Sequence, residues 1–227
     1  MNFDILEKID HAVLKPNLEL KDLEKAVKLA CDYPIASLCV YPTWILWLKN
    51  QQKNFGDTQI GSVAGFPSGA HDPKVKALEV SLSVCRGATE VDVVVNIAAL
   101  KNNMYDDIKK ELSIVKKAFD VAYNPEKKCI KVILEMCYLT KDQVLEAIDI
   151  IEGFGIEYVK TSTGFGEHGA TVEEVRFLKE NISDKTKIKA AGGIKTLNDV
   201  KRMIDAGADR VGTSSTMNII QEIKSKK

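Results

Sequence analysis

Gly87-Ala88-Thr89-Glu90-Val91 and Gly207-Ala208-Asp209-Arg210-Val211 share one pattern, and Gly155-Ile156-Glu157-Tyr158-Val159 is close to it. Glycine adopts the left-handed backbone that ends a helix, and a strand follows a few residues later. Each segment therefore reads as a helix exit feeding a strand. Working outward, short apolar runs recur at 37–41, 61–65, 91–96, 130–135, 158–162, 188–191 and 210–213, with 9–14 as a weaker first member. Between the runs the period changes. Val75, Leu78, Leu82 and Cys85 are spaced three, four and three, as on one face of a helix, and Ile108, Leu112, Val115, Phe119 and Ala122 repeat this over a longer stretch. Thr140 with Gln143, and Thr171 with Glu174, match the capping box that opens a helix.

Strands alternating with helices imply a parallel sheet covered by helices. Eight such units suggest closure into an α/β (β/α)8, or TIM, barrel with a short helix at its N-terminus. An open doubly wound sheet satisfies the same pattern. No Pro/Gly/Ser-rich linker or composition shift divides the 227 residues, so one domain over 1–227 is expected, a size that a barrel tolerates.

Lysine plus arginine equals aspartate plus glutamate at 32 each, so the global field draws no polyanion and nucleic acid is not an expected partner. The segment Met1-Asn2-Phe3-Asp4-Ile5-Leu6-Glu7-Lys8 has neither the basic nor the apolar region of a signal peptide, and no run is long enough to span a bilayer. Cys31, Cys39, Cys85, Cys129 and Cys137 are odd in number and form no Cys-x-x-Cys pair, which fits reduced thiols in a cytoplasmic protein.

Strands of a parallel barrel are buried on both faces and should be nearly all apolar, so polar residues within them carry the information. Asp92, Lys160 and Lys189 are flanked by apolar neighbours on expected strands. Lys160 and Lys189 fall on consecutive strands, and small, polar and glycine residues follow both. That places them toward the C-terminal face, where barrel active sites are built. An amine is nucleophilic only when deprotonated, and burial beside a second cation favours that state. Lys160 beside Lys189 is thus a candidate for a Schiff base with a carbonyl substrate, with Asp92 relaying protons. Lys131 and Lys187, at the starts of their strands, are expected to snorkel outward. A second constellation follows the last two strands: Gly192-Gly193, and Gly212-Thr213-Ser214-Ser215. Glycine lets backbone N–H groups approach an anion, and loops after strands seven and eight form the usual phosphate site of a barrel. Gly164-Phe165-Gly166 can close the same pocket.

Val159-Lys160-Thr161-Ser162-Thr163-Gly164-Phe165-Gly166 resembles the Schiff-base signature of the deoxyribose-phosphate aldolases. The resemblance continues through Ile9-Asp10-His11-Ala12-Val13-Leu14-Lys15-Pro16, Ser37-Leu38-Cys39-Val40, Gly65-Phe66-Pro67, Glu90-Val91-Asp92, Lys131-Val132-Ile133-Leu134-Glu135, Lys189-Ala190-Ala191-Gly192-Gly193-Ile194 and Gly212-Thr213-Ser214-Ser215. It implies a metal-independent class I aldolase, without cofactor, that reversibly cleaves 2-deoxy-D-ribose 5-phosphate to acetaldehyde and D-glyceraldehyde 3-phosphate. Lys160 is implied as the Schiff-base lysine, Asp92 as proton donor and acceptor, and Lys189 as the second lysine that perturbs Lys160. Gly192, Gly193, Ser214 and Ser215 are implied to hold the phosphate with help from Gly164, and Asp10 and Cys39 to line the pocket. A homodimer and a catabolic role are also implied. Ala12 stands where the family usually has threonine, and Ala191 replaces a common serine. The chain ends Ser225-Lys226-Lys227, which offers no counterpart to the tail tyrosine of some members.

Four other readings compete. A metal-dependent aldolase needs a ligand cluster, and His11, His71 and His168 show no ligand spacing, so solvated loop histidines are expected at 71 and 168. Cys39 has apolar neighbours and no nearby histidine, which reads as pocket wall rather than nucleophile. Trp44 and Trp47, with Ile45 and Leu48, read as a helix packed on the barrel, a subunit contact being the alternative. A catalytically dead sugar-phosphate barrel would have no need for both lysines and the aspartate.

Overall fold

The computed structural model describes residues 4–225; the ends of both terminal segments read above, Met1, Asn2 and Phe3 and then Lys226 and Lys227, lie outside the described residues. A short 3-10 helix, Asp4–Lys8, stands where the N-terminal helix was expected. The strands are β1 (Ile9–Val13), β2 (Ser37–Val40), β3 (Gln59–Ala64), β4 (Glu90–Val94), β5 (Cys129–Ile133), β6 (Tyr158–Lys160), β7 (Lys187–Ala191) and β8 (Arg210–Thr213). Each pairs in parallel with its sequence neighbours, and β1 pairs with β8, so the sheet closes. This is the TIM barrel, and closure removes the open-sheet alternative. Several strands stop a residue or more short of the apolar runs. β6 ends at Lys160, although the Thr161 amide still donates to the Lys189 carbonyl at 3.1 Å.

The helices are α1 (Leu20–Asp32), α2 (Ile45–Gln51), α3 (Pro73–Cys85), α4 (Ile97–Lys101), α5 (Tyr105–Val121), α6 (Lys141–Gly153), α7 (Val172–Asn181), α8 (Leu197–Asp205) and α9 (Thr216–Ser225). The capping boxes at Thr140 and Thr171 are formed, and Thr196 with Asp199 adds another at α8. Gly87, Gly155 and Gly207 take φ of 110°, 62° and 116°, the left-handed exits expected of them.

Side chains alternate across each strand, and the two faces do different work. Val91 and Val93 of β4, Ile130 and Val132 of β5, Val159 of β6, and Ile188 and Ala190 of β7 join the main apolar core with helix residues such as Leu112 and Val115. The other parity holds Glu90, Asp92, Lys131, Lys160 and Lys189, all buried. The hydrophobic core is therefore the layer between barrel and helices, and the lumen is charged. Ile45 and Leu48 are buried, with Trp44 and Trp47 packed against the same core, as the helix reading of that segment expects.

One helical pattern reads differently in three dimensions. Ile108, Leu112, Val115, Phe119 and Ala122 are buried. On α3, Val75, Leu78 and Leu82 are 46%, 58% and 41% exposed, and Cys85 is exposed too. The face of α3 that turns inward holds Lys76, Ala77, Val80, Ser83 and Val84. Lys76 takes that place because its ammonium donates to Glu111 at 2.8 Å and to the Val94 carbonyl at 3.0 Å. A buried ion pair thus occupies the side that an apolar stripe would normally claim.

The two stripes should respond differently to truncation. Leu112→Ala is expected to cost about 2–5 kcal/mol, through lost burial and the cavity left behind. Leu78→Ala should stay within about 0.5 kcal/mol, since surface changes seldom cost more. Denaturant unfolding of both variants checks this, and equal losses would contradict the placement of α3.

Candidate active site

Strand register brings the lumen charges together. Lys160 on β6 is level with Lys189 on β7, and Asp92 on β4 is level with Lys131 on β5. Oδ2 of Asp92 accepts hydrogen bonds from Nζ of Lys160 and Nζ of Lys189, each at 2.7 Å. Lys189 also lies 2.6 Å from Asp10 Oδ2. Asp10 Oδ1 in turn accepts from Ser37 Oγ at 2.7 Å and from Arg210 Nε at 2.9 Å. Arg210 reaches Glu90 at 3.1 Å, Glu90 meets Lys131 at 2.5 Å, and Lys131 approaches Asp92 Oδ1 at 3.4 Å.

These contacts separate the protonation states of the lysines. Burial lowers the proton affinity of Lys160; Asp92 pulls the other way, and the Lys189 charge lowers it again, leaving Lys160 below the ordinary lysine value. Burial also disfavours charge on Lys189, but Asp10 and Asp92 outweigh it and hold its affinity above the ordinary value. Lys131 is raised in the same way, with Glu90 and Asp92 overcoming burial. Burial opposes ionisation of Asp92, yet Lys160, Lys189 and Lys131 keep its carboxylate far below the usual range. Lys160 is thus the lumen lysine that holds its proton least tightly, beside a lysine that holds its proton more tightly and a carboxylate that favours ionisation, an arrangement that suits an amine nucleophile.

Above this cluster lies a cavity of about 260 Å³, lined by Asp10, Cys39, Lys160, Lys189 and the loops after β6, β7 and β8. Its size suits a small molecule. Gly164, Gly192, Gly193, Ser214 and Ser215 all line it, as do Ala12 and Ala191, the two departures from the family pattern. Gly192 and Gly193 have φ of 86° and 74°, so the loop after β7 takes a course that other residues resist. Thr213 Oγ1 donates to the Ile194 carbonyl at 2.6 Å and accepts from the Ser215 amide at 2.9 Å, tying that loop to the one after β8. Phe165 stands at the mouth, edge-on to Phe66 at 5.4 Å, and Phe66 is edge-on to Tyr41 at 6.0 Å. Of these rings only Phe165 lines the cavity, beside the glycine and serine residues of the loops after β7 and β8.

One expectation is overturned. Lys131 does not snorkel outward; it is 1% exposed and points into the lumen, because its parity on β5 matches that of Asp92 on β4 and three carboxylates lie within 3.9 Å. Lys187, whose reading was the same, is exposed. Asp10 lines the cavity as expected, with its oxygens engaged by Arg210, Ser37 and Lys189. Cys39 is pocket wall, packed with Leu14 and Val63, and burial pushes its thiol up to about 11. His71 and His168 are exposed loop residues, and His11 is half-buried with Nδ1 2.9 Å from Thr216 Oγ1. Among the described residues no group of three or more His, Cys, Asp or Glu side chains is placed to hold a metal ion.

Several site residues went unread. Glu135 sits at φ 57°, buried, and accepts from the Thr163 hydroxyl and, at 3.2 Å, from the Thr163 amide, which anchors the loop after β6. Gly169 packs so closely that a Cβ there would lie 2.2 Å from the Gly192 carbonyl. Lys15 and Lys195 add cations to the cavity lining. Their long-range partners gave no local signal. Glu90 and Arg210 did give one, since they begin strands at the same parity as Asp92 and Lys189.

Fold and cluster together are those of an aldolase built on a closed parallel barrel. The chain belongs to the DeoC/LacD family of aldolases, whose family model matches residues 5–222. It is 41% identical over 219 residues to the deoxyribose-phosphate aldolase of Thermoanaerobacter sp. (strain X514), covering 96% of each chain. Among solved structures, the aldolase QR15 superposes with a TM-score of 0.88 at 35% identity, over 98% of this chain and 97% of that one. The deoxyribose phosphate aldolase of Aeropyrum pernix, described as a unique tetramer, gives 0.86 at 27% identity over 99% and 93%.

The assignment of Cys39 to the pocket wall has a direct check. A thiol titrating near 11 is only ~0.1% thiolate at pH 8, so Cys39 should resist iodoacetamide while the exposed Cys31 and Cys85 are alkylated. Peptide mass mapping reads the result, and rapid modification of Cys39 in folded protein would contradict it.

Proposed function

We propose that this chain is a Schiff-base deoxyribose-phosphate aldolase, the whole of it serving as one catalytic domain. It reversibly splits 2-deoxy-D-ribose 5-phosphate into D-glyceraldehyde 3-phosphate and acetaldehyde. The observation that carries the reading is the convergence of Lys160 and Lys189 on one oxygen of Asp92, 2.7 Å from each, beneath the cavity.

Each group then has a role that its surroundings support. The neutral Lys160 amine attacks the C1 aldehyde of the open-chain sugar, and loss of water leaves an iminium. The positively charged iminium is the electron sink when the C2–C3 bond breaks, so an enamine forms and no enolate has to be stabilised. Asp92, an acceptor in its ionised state, takes the C3 hydroxyl proton as D-glyceraldehyde 3-phosphate departs. The same proton, returned to C2 of the enamine, regenerates an iminium, and water releases acetaldehyde and the free amine. Lys189 stays charged and keeps the returning proton off Lys160. Gly192, Gly193, Ser214 and Ser215, with Gly164, hold the phosphate, and Asp10 and Cys39 border the rest of the sugar.

A cytoplasmic homodimer acting in the breakdown of deoxyribose phosphate belongs to the same reading. The exposed Val75, Leu78 and Leu82 on α3 support a second copy as the partner, and no described helix is long and apolar enough to cross a membrane.

Borohydride reduction in the presence of 2-deoxyribose 5-phosphate or acetaldehyde, followed by peptide mapping, tests the proposal. A reduced adduct on Lys160, formed equally after exhaustive chelation, is the expected outcome. Folded protein that cleaves the substrate without an adduct on Lys160, or only after Zn²⁺ is restored, would overturn it.

A further inference from the structure

Six lumen residues form a closed circuit of alternating charge. Arg210 meets Glu90, Glu90 meets Lys131, Lys131 meets Asp92, Asp92 meets Lys189, Lys189 meets Asp10, and Asp10 returns to Arg210. Three cations oppose three anions, so the circuit is neutral by itself. Lys160 hangs from Asp92 as a fourth cation. Apart from Arg210, whose side chain is 14% exposed, every member is at most 4% exposed. Unbalanced charge is costly in such a place, so one of the four bases sheds its proton most readily. Contacts select which. Lys131 lies near three carboxylates, and Lys189 and Arg210 near two each, whereas Lys160 has only Asp92, already shared with Lys189 and Lys131.

Taking Lys160 as the Schiff-base lysine proposed above, we infer that Arg210 and Glu90 are positioning residues that decide whether the Lys160 amine carries a proton. Neither lines the substrate cavity; Arg210 borders a hollow on another part of the surface, beside Glu7 and Asp57. Arg210 supplies the third positive charge of the circuit, which makes the Lys160 proton the surplus one. Glu90 acts in the opposite sense, balancing Arg210 and Lys131. Of the other titratable groups near these residues, Glu7 and Asp57 beside Arg210 are exposed, while Cys39 opposite Lys160, its thiol pushed up to about 11, and Tyr158 beside Arg210 and Lys131, pushed up to about 12, stay neutral. Cys129, near Lys131, is likewise pushed up to about 12, and Lys187 across the Tyr158 ring is exposed.

The signs follow from electrostatics. Removing a positive charge from the circuit favours the protonated Lys160, so activity should appear only at higher pH. Removing a negative charge should do the reverse.

The test is kcat/KM for 2-deoxyribose 5-phosphate against pH in Arg210→Met, Glu90→Gln and the double variant, with borohydride trapping on Lys160 in each. The midpoint of the alkaline rise should move up by about one pH unit in Arg210→Met and down by a similar amount in Glu90→Gln. The double variant, which keeps the circuit neutral, should return it near the wild-type position. A purely structural role would lower rates without moving the midpoint in opposite directions. Folded variants whose midpoints stay fixed, or move the same way, would overturn the inference. Whichever single variant folds decides by its sign. An adduct on Lys160 with an unmoved midpoint defeats this inference alone, whereas no adduct on Lys160 in the wild-type protein defeats the proposed function.

Discussion

The site depends on one carboxylate oxygen, Oδ2 of Asp92, placed 2.7 Å from the amines of both Lys160 and Lys189. One buried anion cannot fully compensate two buried cations, so the two lysines cannot hold their protons equally well. Asp10 breaks the tie. It lies 2.6 Å from Lys189 and has no contact with Lys160, so Lys189 keeps its charge and Lys160 becomes the base that yields. The proposed roles of nucleophile, charged partner and proton carrier follow from this imbalance of charge within one lumen.

The scaffold makes that count possible. Period-two alternation sends Val91, Val93, Ile130 and Val132 outward to the helices, where apolar burial stabilises the fold without involving the site. The opposite parity is left for chemistry, and small residues make room for it. At Gly212, for example, an added Cβ would sit 3.2 Å from the Lys189 side chain and 3.1 Å from Ala191. Thr163 with Glu135 ties the loop after β6 to the end of β5, and Thr213 with Ile194 ties the loop after β8 to the one after β7, so that Gly164, Gly192 and Gly193 line one cavity over the lumen.

Much of this was legible in the chain. Glycine exits and capping boxes mark helix ends through local backbone chemistry, and both were read correctly at the elements they bound. Asp92, Lys160 and Lys189 stood out because a charge in an apolar strand contradicts burial unless it is paired. Lys131 was misread because strand-start lysines usually escape to solvent; only the register reveals Asp92 across from it, with Glu90 within ion-pair reach on the same face. The outward direction of the α3 stripe was hidden for a related reason. Period alone identifies a helix face but not its direction, and the Lys76–Glu111 pair reversed the usual one. Gly169 and Glu135 act on loops distant in sequence, a relation that no local pattern carries.

The central claim is that Lys160 alone, among the lumen lysines, surrenders its proton. An NMR titration of isotope-labelled lysine side chains in the ligand-free protein, with signals assigned by Lys→Met variants, tests it most directly. Lys160 should lose its proton below the ordinary lysine value of 10.5 while Lys131 and Lys189 remain charged through that range. Titration of Lys160 at or above that value, or loss of the Lys189 proton first, would contradict the account.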